Sequence, residues 1–198
     1  VVRGFLLGWK MSEESDVHGI ISERSQGLVD YAYRFARDAH GEQKRKYTGE
    51  PYINHPVAVA KIVMTCDDHN VTQIVAAILH DVIEDTDTTR KDIINAGFTW
   101  WAADMVVELS DVSKPEDGNR AIRKAMDRDH LAGISDKAKT VKLADCIHNS
   151  ISITKYDPDF AKVYMREMQV LIPLLSGGNS KLFERAMRMI IDYYVGPK

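Results

Sequence analysis

The chain has 198 residues, which suits one domain or at most two small ones and a core that needs no disulfide staples. It is 44% hydrophobic and 28% charged, with 26 Lys and Arg against 29 Asp and Glu, so bulk charge gives no argument for a nucleic-acid or membrane partner. No run of about 18 apolar residues is present to span a bilayer.

At the start of the chain, Phe5-Leu6-Leu7 is too short for the apolar core of a signal peptide. Met11 with Ser12-Glu13-Glu14 reads as a natural start, so residues 1–10 are expected to be vector-derived or an upstream leader, and residues 1–20 a flexible extension. Residues 21–198 are expected to form one domain. Leu28, Val29, Ala32, Phe35, Ala36 and Ala39 recur at helical spacing and predict a first helix over 22–40, ended by Gly41. The loop GEQKRKYTGEPYINHP follows, with Gly49, Pro51 and Pro56 interrupting regular structure. It carries three cations in succession, Lys44, Arg45 and Lys46. Asn54 is expected to cap a helix over 56–67. Asp68-His69-Asn70 breaks the chain before a central helix over 72–84.

A turn at 85–88 leads to a short helix through Asn95. The next helix, 99–111, bears Trp100 and Trp101, for which core packing is the expectation. After a loop at 113–118, the charged segment 120–132 is helical. Ser135 caps a helix over 136–155, and Asp157-Pro158-Asp159 caps one over 160–175. Gly177-Gly178 precedes a last helix over 179–194. Alternation of apolar and polar residues never persists, and the loops are short. The reading is a single all-α domain. Cys66 and Cys146 lie in apolar surroundings without a Cys partner at metal-ligand spacing, and are expected as buried free thiols in a reducing cytosol.

Three stretches carry candidate chemistry. In IVAAILHDVIED, an apolar run at 74–79 ends in His80, Asp81, Glu84 and Asp85. Burying an imidazole and three carboxylates beside a core costs several kcal/mol per unpaired charge, which a cation would offset. Glu84 lies four residues after His80, and Asp85 four after Asp81, so these pairs share helical faces. In TVKLADCIHNSISI, a second apolar helix carries Lys142, Asp145, His148 and Asn149 at its middle. Asp145 needs a cation, either a metal or a basic side chain, Lys142 or an Arg, and His148 reads as a structural hydrogen-bonding residue. In PYINHP, a Pro-bounded loop aims His55. Together His55, His80, Asp81 and Asp145 offer two imidazoles and two carboxylates. That set suits a hard or borderline divalent ion with open positions for water: Mn²⁺, Fe²⁺, Zn²⁺ or Mg²⁺.

With a preceding His and a distant Asp, His80-Asp81 resembles the pattern of the HD-domain metal-dependent phosphohydrolases. The longer motifs RKYTGEPYINHP, HDVIEDT and KLADCIHN, in this order over residues 31–156, resemble the hydrolase domain of the RelA/SpoT alarmone enzymes. The stretch 157–175 resembles the stand-alone small alarmone hydrolases. The resemblance implies an HD-type helical bundle with His55, His80, Asp81 and Asp145 as metal ligands and Mn²⁺ as the usual ion. It implies that Glu84 and Asp85 position or activate water, that Arg45 and Lys46 form a substrate-binding pair, and that Asn149 contacts the nucleotide. Ser152 stands where the long enzymes tend to have Thr as a ribose contact. Cys146 departs from the Arg usual in KLADRLHN. Tyr52 and Tyr164 are candidates for a nucleoside pocket.

The expected activity is manganese-dependent removal of the 3′-pyrophosphate from ppGpp or pppGpp to give GDP or GTP. The expected setting is the cytoplasm, with no nucleic-acid or membrane partner and with homo-oligomerisation open. The alternatives are the same site acting on adenosine alarmones or on the 2′-phosphate of NADPH, or a binding module that senses alarmone without turnover.

Overall fold

The computed structural model describes residues 23–196; the extension expected over residues 1–20 lies outside the described residues. The described residues are helical, joined by short loops, and the helices are α1 (Glu23–His40), α2 (Asn54–Met64), α3 (Val71–Leu79), α4 (Val82–Asp85), α5 (Arg90–Asn95), α6 (Trp100–Leu109), α7 (Arg120–Ala132), α8 (Asp136–Tyr156), α9 (Pro158–Leu171) and α10 (Ser180–Val195), with 3₁₀ turns at Pro115–Asp117 and Ile172–Leu175. No helix among them is long and apolar enough to cross a membrane. The expected all-α, single-domain bundle is the fold observed.

The centre is α3. Ile74, Val75, Ala76, Ala77, Ile78 and Leu79 are each at most 3% exposed. A helix apolar on every side must be enclosed on every side, and α3 packs against α1, α2, α6 and α8. The start of α3 is set by Asn70, whose side chain accepts from the Gln73 N–H while the Gln73 side chain accepts from the Asn70 N–H. Gln73 is itself buried and reaches the Lys137 carbonyl of α8 through its second amide hydrogen. The second wall of the core is α8, where Val141, Leu143, Ala144 and Ile147 are at most 1% exposed.

Four expectations change. The central helix does not run through to Glu84. It stops at Leu79, and α4 starts at Val82. His80 and Asp81 between them keep right-handed helical angles, but Asp81 has ψ −5, which turns the chain off the α3 axis. Asn54 is the first residue of α2 rather than its cap, and the preceding Ile53 makes no side-chain capping bond. The basic loop is more regular than its Gly and Pro content predicts. Lys44 and Pro51 form an antiparallel bridge, with Arg45 N–H on the Glu50 carbonyl at 2.9 Å and Tyr52 N–H on the Gln43 carbonyl at 2.9 Å. Gly49 turns this hairpin at φ +70, a conformation that favours glycine. Finally, Trp100 and Trp101 are not core residues. They are 52% and 62% exposed, and their rings stack on each other at 3.7 Å. They occupy the first turn of α6, whose inner face is taken by Ala102, Ala103, Val106 and Leu109. Cys66 and Cys146 are buried free thiols, as expected.

Candidate active site

His55 comes from the first turn of α2, His80 and Asp81 from the bend between α3 and α4, and Asp145 from the middle of α8. The three elements pack together, and they bring His55, His80 and Asp145 into a buried cluster whose ligand atoms all lie within 4.8 Å of one another. Asp81 Oδ2 joins them, 3.4 Å from His55 Nε2 and 3.0 Å from His80 Nε2. Asp145 Oδ1 is 3.2 Å from His55 Nε2 and 3.7 Å from His80 Nε2. Adjacent residues on a straight helix diverge by about 100°. The two side chains nevertheless converge at their tips, with His80 Nε2 3.0 Å from Asp81 Oδ2.

The proton positions in this cluster follow from the second set of partners. His80 Nδ1 lies 2.8 Å from the Ala77 carbonyl, which can only accept, so Nδ1 carries the proton. In the neutral ring, Nε2 then presents a lone pair to two carboxylates. That atom is buried and has no hydrogen-bond partner. Lone pairs facing carboxylate oxygens at this range repel unless a cation stands between them. Burial lowers the His80 pKa, but Asp81 and Asp145 outweigh burial and raise it well above the ordinary value. The site therefore holds positive charge, as a proton on His80 or as a metal ion. Burial pushes the His55 imidazole down, against the pull of Asp145, which favours the neutral form that can ligate. Two imidazole nitrogens and two carboxylates fit a divalent ion with open positions.

Outer partners hold the cluster in place. Tyr52 Oη donates to Asp81 Oδ2 at 2.8 Å, and Asn149 Nδ2 donates to Asp145 Oδ1 at 2.7 Å. Lys142 Nζ is 3.1 Å from Asp145 Oδ2. Burial opposes ionisation of Asp145, yet Lys142, His55 and His80 together hold its carboxyl well below the usual range. His55 Nδ1 lies 2.8 Å from His148 Nδ1, where only one of the two can carry the proton. Burial, with the neighbouring His55 and Arg45, pushes His148 down to about 4, so it stays neutral and is free to accept from His55. This places His148 as a hydrogen-bonding partner of His55 rather than in the cluster itself.

His55, Asp81 and Asp145 of this cluster line a cleft of about 660 Å³, with His80 buried behind them. Glu84 and Asp85 line it beside Asp81. Glu84 Oε1 accepts the Asp111 N–H at 2.6 Å. Glu84 is itself exposed, at the edge of the cleft; the protein packed around it raises its carboxyl to about 7, with Asp111 and Asp81 adding to the rise and Lys142 opposing it. Asp85 Oδ2 accepts from Gln43 Nε2 at 3.1 Å. Arg45 and Lys46 stand at the mouth on the hairpin. Arg45 Nη2 donates to Asn149 Oδ1 at 2.8 Å, and its guanidinium carbon lies 5.6 Å from the Tyr52 ring centre. Lys46 Nζ pairs with Asp157 at 3.3 Å. Tyr164 also lines the cleft, with its hydroxyl 3.3 Å from the Cys146 carbonyl. Ser152 does not line it, and its hydroxyl returns to the Asn149 carbonyl at 3.1 Å.

Sequence reasoning missed the opposite wall. The charged helix α7 contributes Arg120, Lys124 and Arg128 to the cleft. Arg120 makes a two-pronged pair with Glu167 at 2.8 Å on each prong. The available signal was a helix with few apolar residues and clustered cations, a pattern that more often marks a solvated face.

The HD domain family model matches residues 32–174. The MESH1 protein of Xenopus tropicalis, a guanosine-3′,5′-bis(diphosphate) 3′-pyrophosphohydrolase, is 33% identical over 175 residues, covering 83% of this chain and 94% of its own length. An Aquifex aeolicus protein of the same description is 48% identical over 87 residues, which is 42% of this chain but only 12% of that longer protein. In fold, the chain is similar to a solved metazoan ortholog of SpoT, with a TM-score of 0.75 at 24% identity over 92% of this chain and 100% of that one. With its motifs on the three elements that build the cluster, this chain belongs to the HD domain family and is similar to MESH1 over most of its length.

Proposed function

We propose that the protein is a metal-dependent 3′-pyrophosphohydrolase of ppGpp and pppGpp, with Mn²⁺ as its ion. The observation that carries this reading is the pairing of the buried His55–His80–Asp145 cluster and Asp81 with Glu84 in the same cleft, under two walls of cations. The name of the Xenopus relative supports the choice of substrate.

A divalent cation supplies positive charge that acidifies water and neutralises phosphate oxygens. The chain's own residues do the rest. Glu84, as carboxylate, takes the proton of the water that attacks the 3′-linked phosphorus; the bond from that phosphorus to the ribose oxygen breaks, and the ribose oxygen takes up a proton, from Glu84 or from solvent, to leave as the 3′-hydroxyl of GDP or GTP while pyrophosphate is released. A carboxyl raised towards 7 is matched to proton transfer near neutrality. Asp85, anchored by Gln43, orients the water. Arg45 is pre-aimed by Asn149 to stack on the base or pair with phosphate, and Lys46 adds charge at the mouth. Lys124 and Arg128 face phosphates from the other wall, while Tyr52 and Tyr164 flank the nucleoside. On this reading Ser152 acts on substrate only through Asn149.

The test is release of pyrophosphate from ppGpp by purified protein loaded with Mn²⁺. No release, with one ion bound per chain, rejects the substrate. Guanidinium–base stacking by Arg45 does not distinguish guanine from adenine. The same assay should therefore include ppApp and NADPH. Tight ppGpp binding without product would instead favour an alarmone-binding module.

A further inference from the structure

Asp127 on α7 is 2% exposed, although it belongs to a strongly charged helix. A buried carboxylate is stable only when its oxygens are satisfied. Its Oδ1 accepts the N–H groups of Val112 and Ser113 at 3.1 and 2.9 Å, and its Oδ2 accepts Ser113 Oγ at 3.1 Å and Lys124 Nζ at 3.2 Å. The residue just before this stapled pair is Asp111. Its N–H is the donor on Glu84 Oε1 at 2.6 Å, and its carboxylate takes Lys124 Nζ at 2.5 Å.

We propose that Asp127 is the positioning residue for Glu84, acting through the backbone of residues 111–113 and through Lys124. The inference rests on the reading of Glu84 as the water-handling carboxylate. Residues 110–114 form the irregular link that follows α6, and a link without a helical ladder must take its rigidity from side chains. Two of its consecutive N–H groups end on one buried carboxylate. A third, from Asp111, ends on Glu84. Lys124 lies between Asp111 and Asp127 and locks the two acids in register. The staple sits at the cleft, where Asp127, Lys124, Asp111 and Glu84 are all lining residues. What it fixes is the direction of one N–H, and hence one oxygen of Glu84.

A structural staple and a positioning residue differ in two readouts. The first is the Asp111 amide proton by NMR. A short bond to a carboxylate moves this resonance downfield, and Glu84→Ala marks its unbonded position. In Asp127→Asn the resonance should move upfield towards that position. Ser113→Ala, a milder change that removes one of the four partners of Asp127, should move it less in the same direction. The second is kinetic. Asp127→Asn should lower kcat for ppGpp about tenfold, short of the roughly hundredfold that a 1 Å misplacement can cost. KM and Mn²⁺ affinity should stay within about twofold. In the Glu84→Ala background, Asp127→Asn should produce no further loss. An unmoved Asp111 resonance in both variants overturns the proposal, as does an equal fold-loss with and without Glu84. If the wild-type protein releases no pyrophosphate, the functional reading falls, and the amide shift alone still decides whether Asp127 holds Glu84.

Discussion

Removing the charge of Asp145 separates the metal site from the core that carries it. Asp145→Asn keeps the side-chain shape but replaces the carboxylate proposed as an anionic ligand, which lies 3.2 Å from His55 Nε2. It also leaves Lys142 without the carboxylate 3.1 Å from its Nζ, in a pair whose side chains are only 15% and 9% exposed. Taking one partner from such a pair costs about 3 kcal/mol, the low end of the usual range because Glu84 and Asp111 still face Lys142. For a chain of 198 residues that lowers the metal-free Tm by about 6–12 °C, at about 2–4 °C per kcal/mol. Binding of an ion adds to stability by mass action. At an ion concentration of about 100 Kd, the wild-type protein gains about 2.7 kcal/mol, a rise of roughly 5–10 °C. Loss of a direct ligand weakens binding by at least the hundredfold or so that loss of an outer partner can cause. At the same concentration the variant then sits near its own Kd and gains about 0.4 kcal/mol, roughly 1 °C. Scanning calorimetry of both proteins, with excess EDTA and with Mn²⁺, measures both effects. An equal rise in Tm for wild type and Asp145→Asn would refute the assignment of Asp145 as a ligand, whatever happens to the baseline.

Other outcomes follow from the same geometry. A base acts when ionised, and the pKa of Glu84 is raised to about 7, so kcat should climb with pH through neutrality, with a bound cation moving that limb to lower pH. Glu84→Gln should abolish the limb while keeping metal affinity; an unchanged limb removes Glu84 from proton transfer. Arg45→Ala should raise KM about tenfold, the worth of one charge-assisted hydrogen bond, and leave Mn²⁺ affinity unaltered by isothermal titration. Gly178→Ala should destabilise the fold by about 1–3 kcal/mol in urea titration, because its Cβ would stand 2.9 Å from Leu143 Cδ1 and 3.0 Å from the Thr140 backbone nitrogen. A wild-type midpoint in that variant would mean that the α10 approach to α8 has slack which the packing does not show.

Much of this protein is legible in the order of its residues. An apolar run that fills every side of a helix has to be central, and 74–79 became the buried heart of the bundle. The acids and the imidazole at the end of that run needed a cation, and the spacing in KLADCIHN placed a fourth carboxylate on another core helix. Local signals of this kind are short-range physics, and they survive folding. Other features belong to tertiary packing. The break between α3 and α4 at His80 and Asp81 has no proline or glycine to announce it. The exposure of Trp100 and Trp101 follows from which face of α6 meets α3, a choice that two adjacent aromatics do not disclose. The charged helix α7 read as a polar surface. Only the fold shows that Asp127 is sealed inside it, and that its partners run through residues 111–113 to Glu84, because a link between residues 43 positions apart in the chain exists only once the helices are packed.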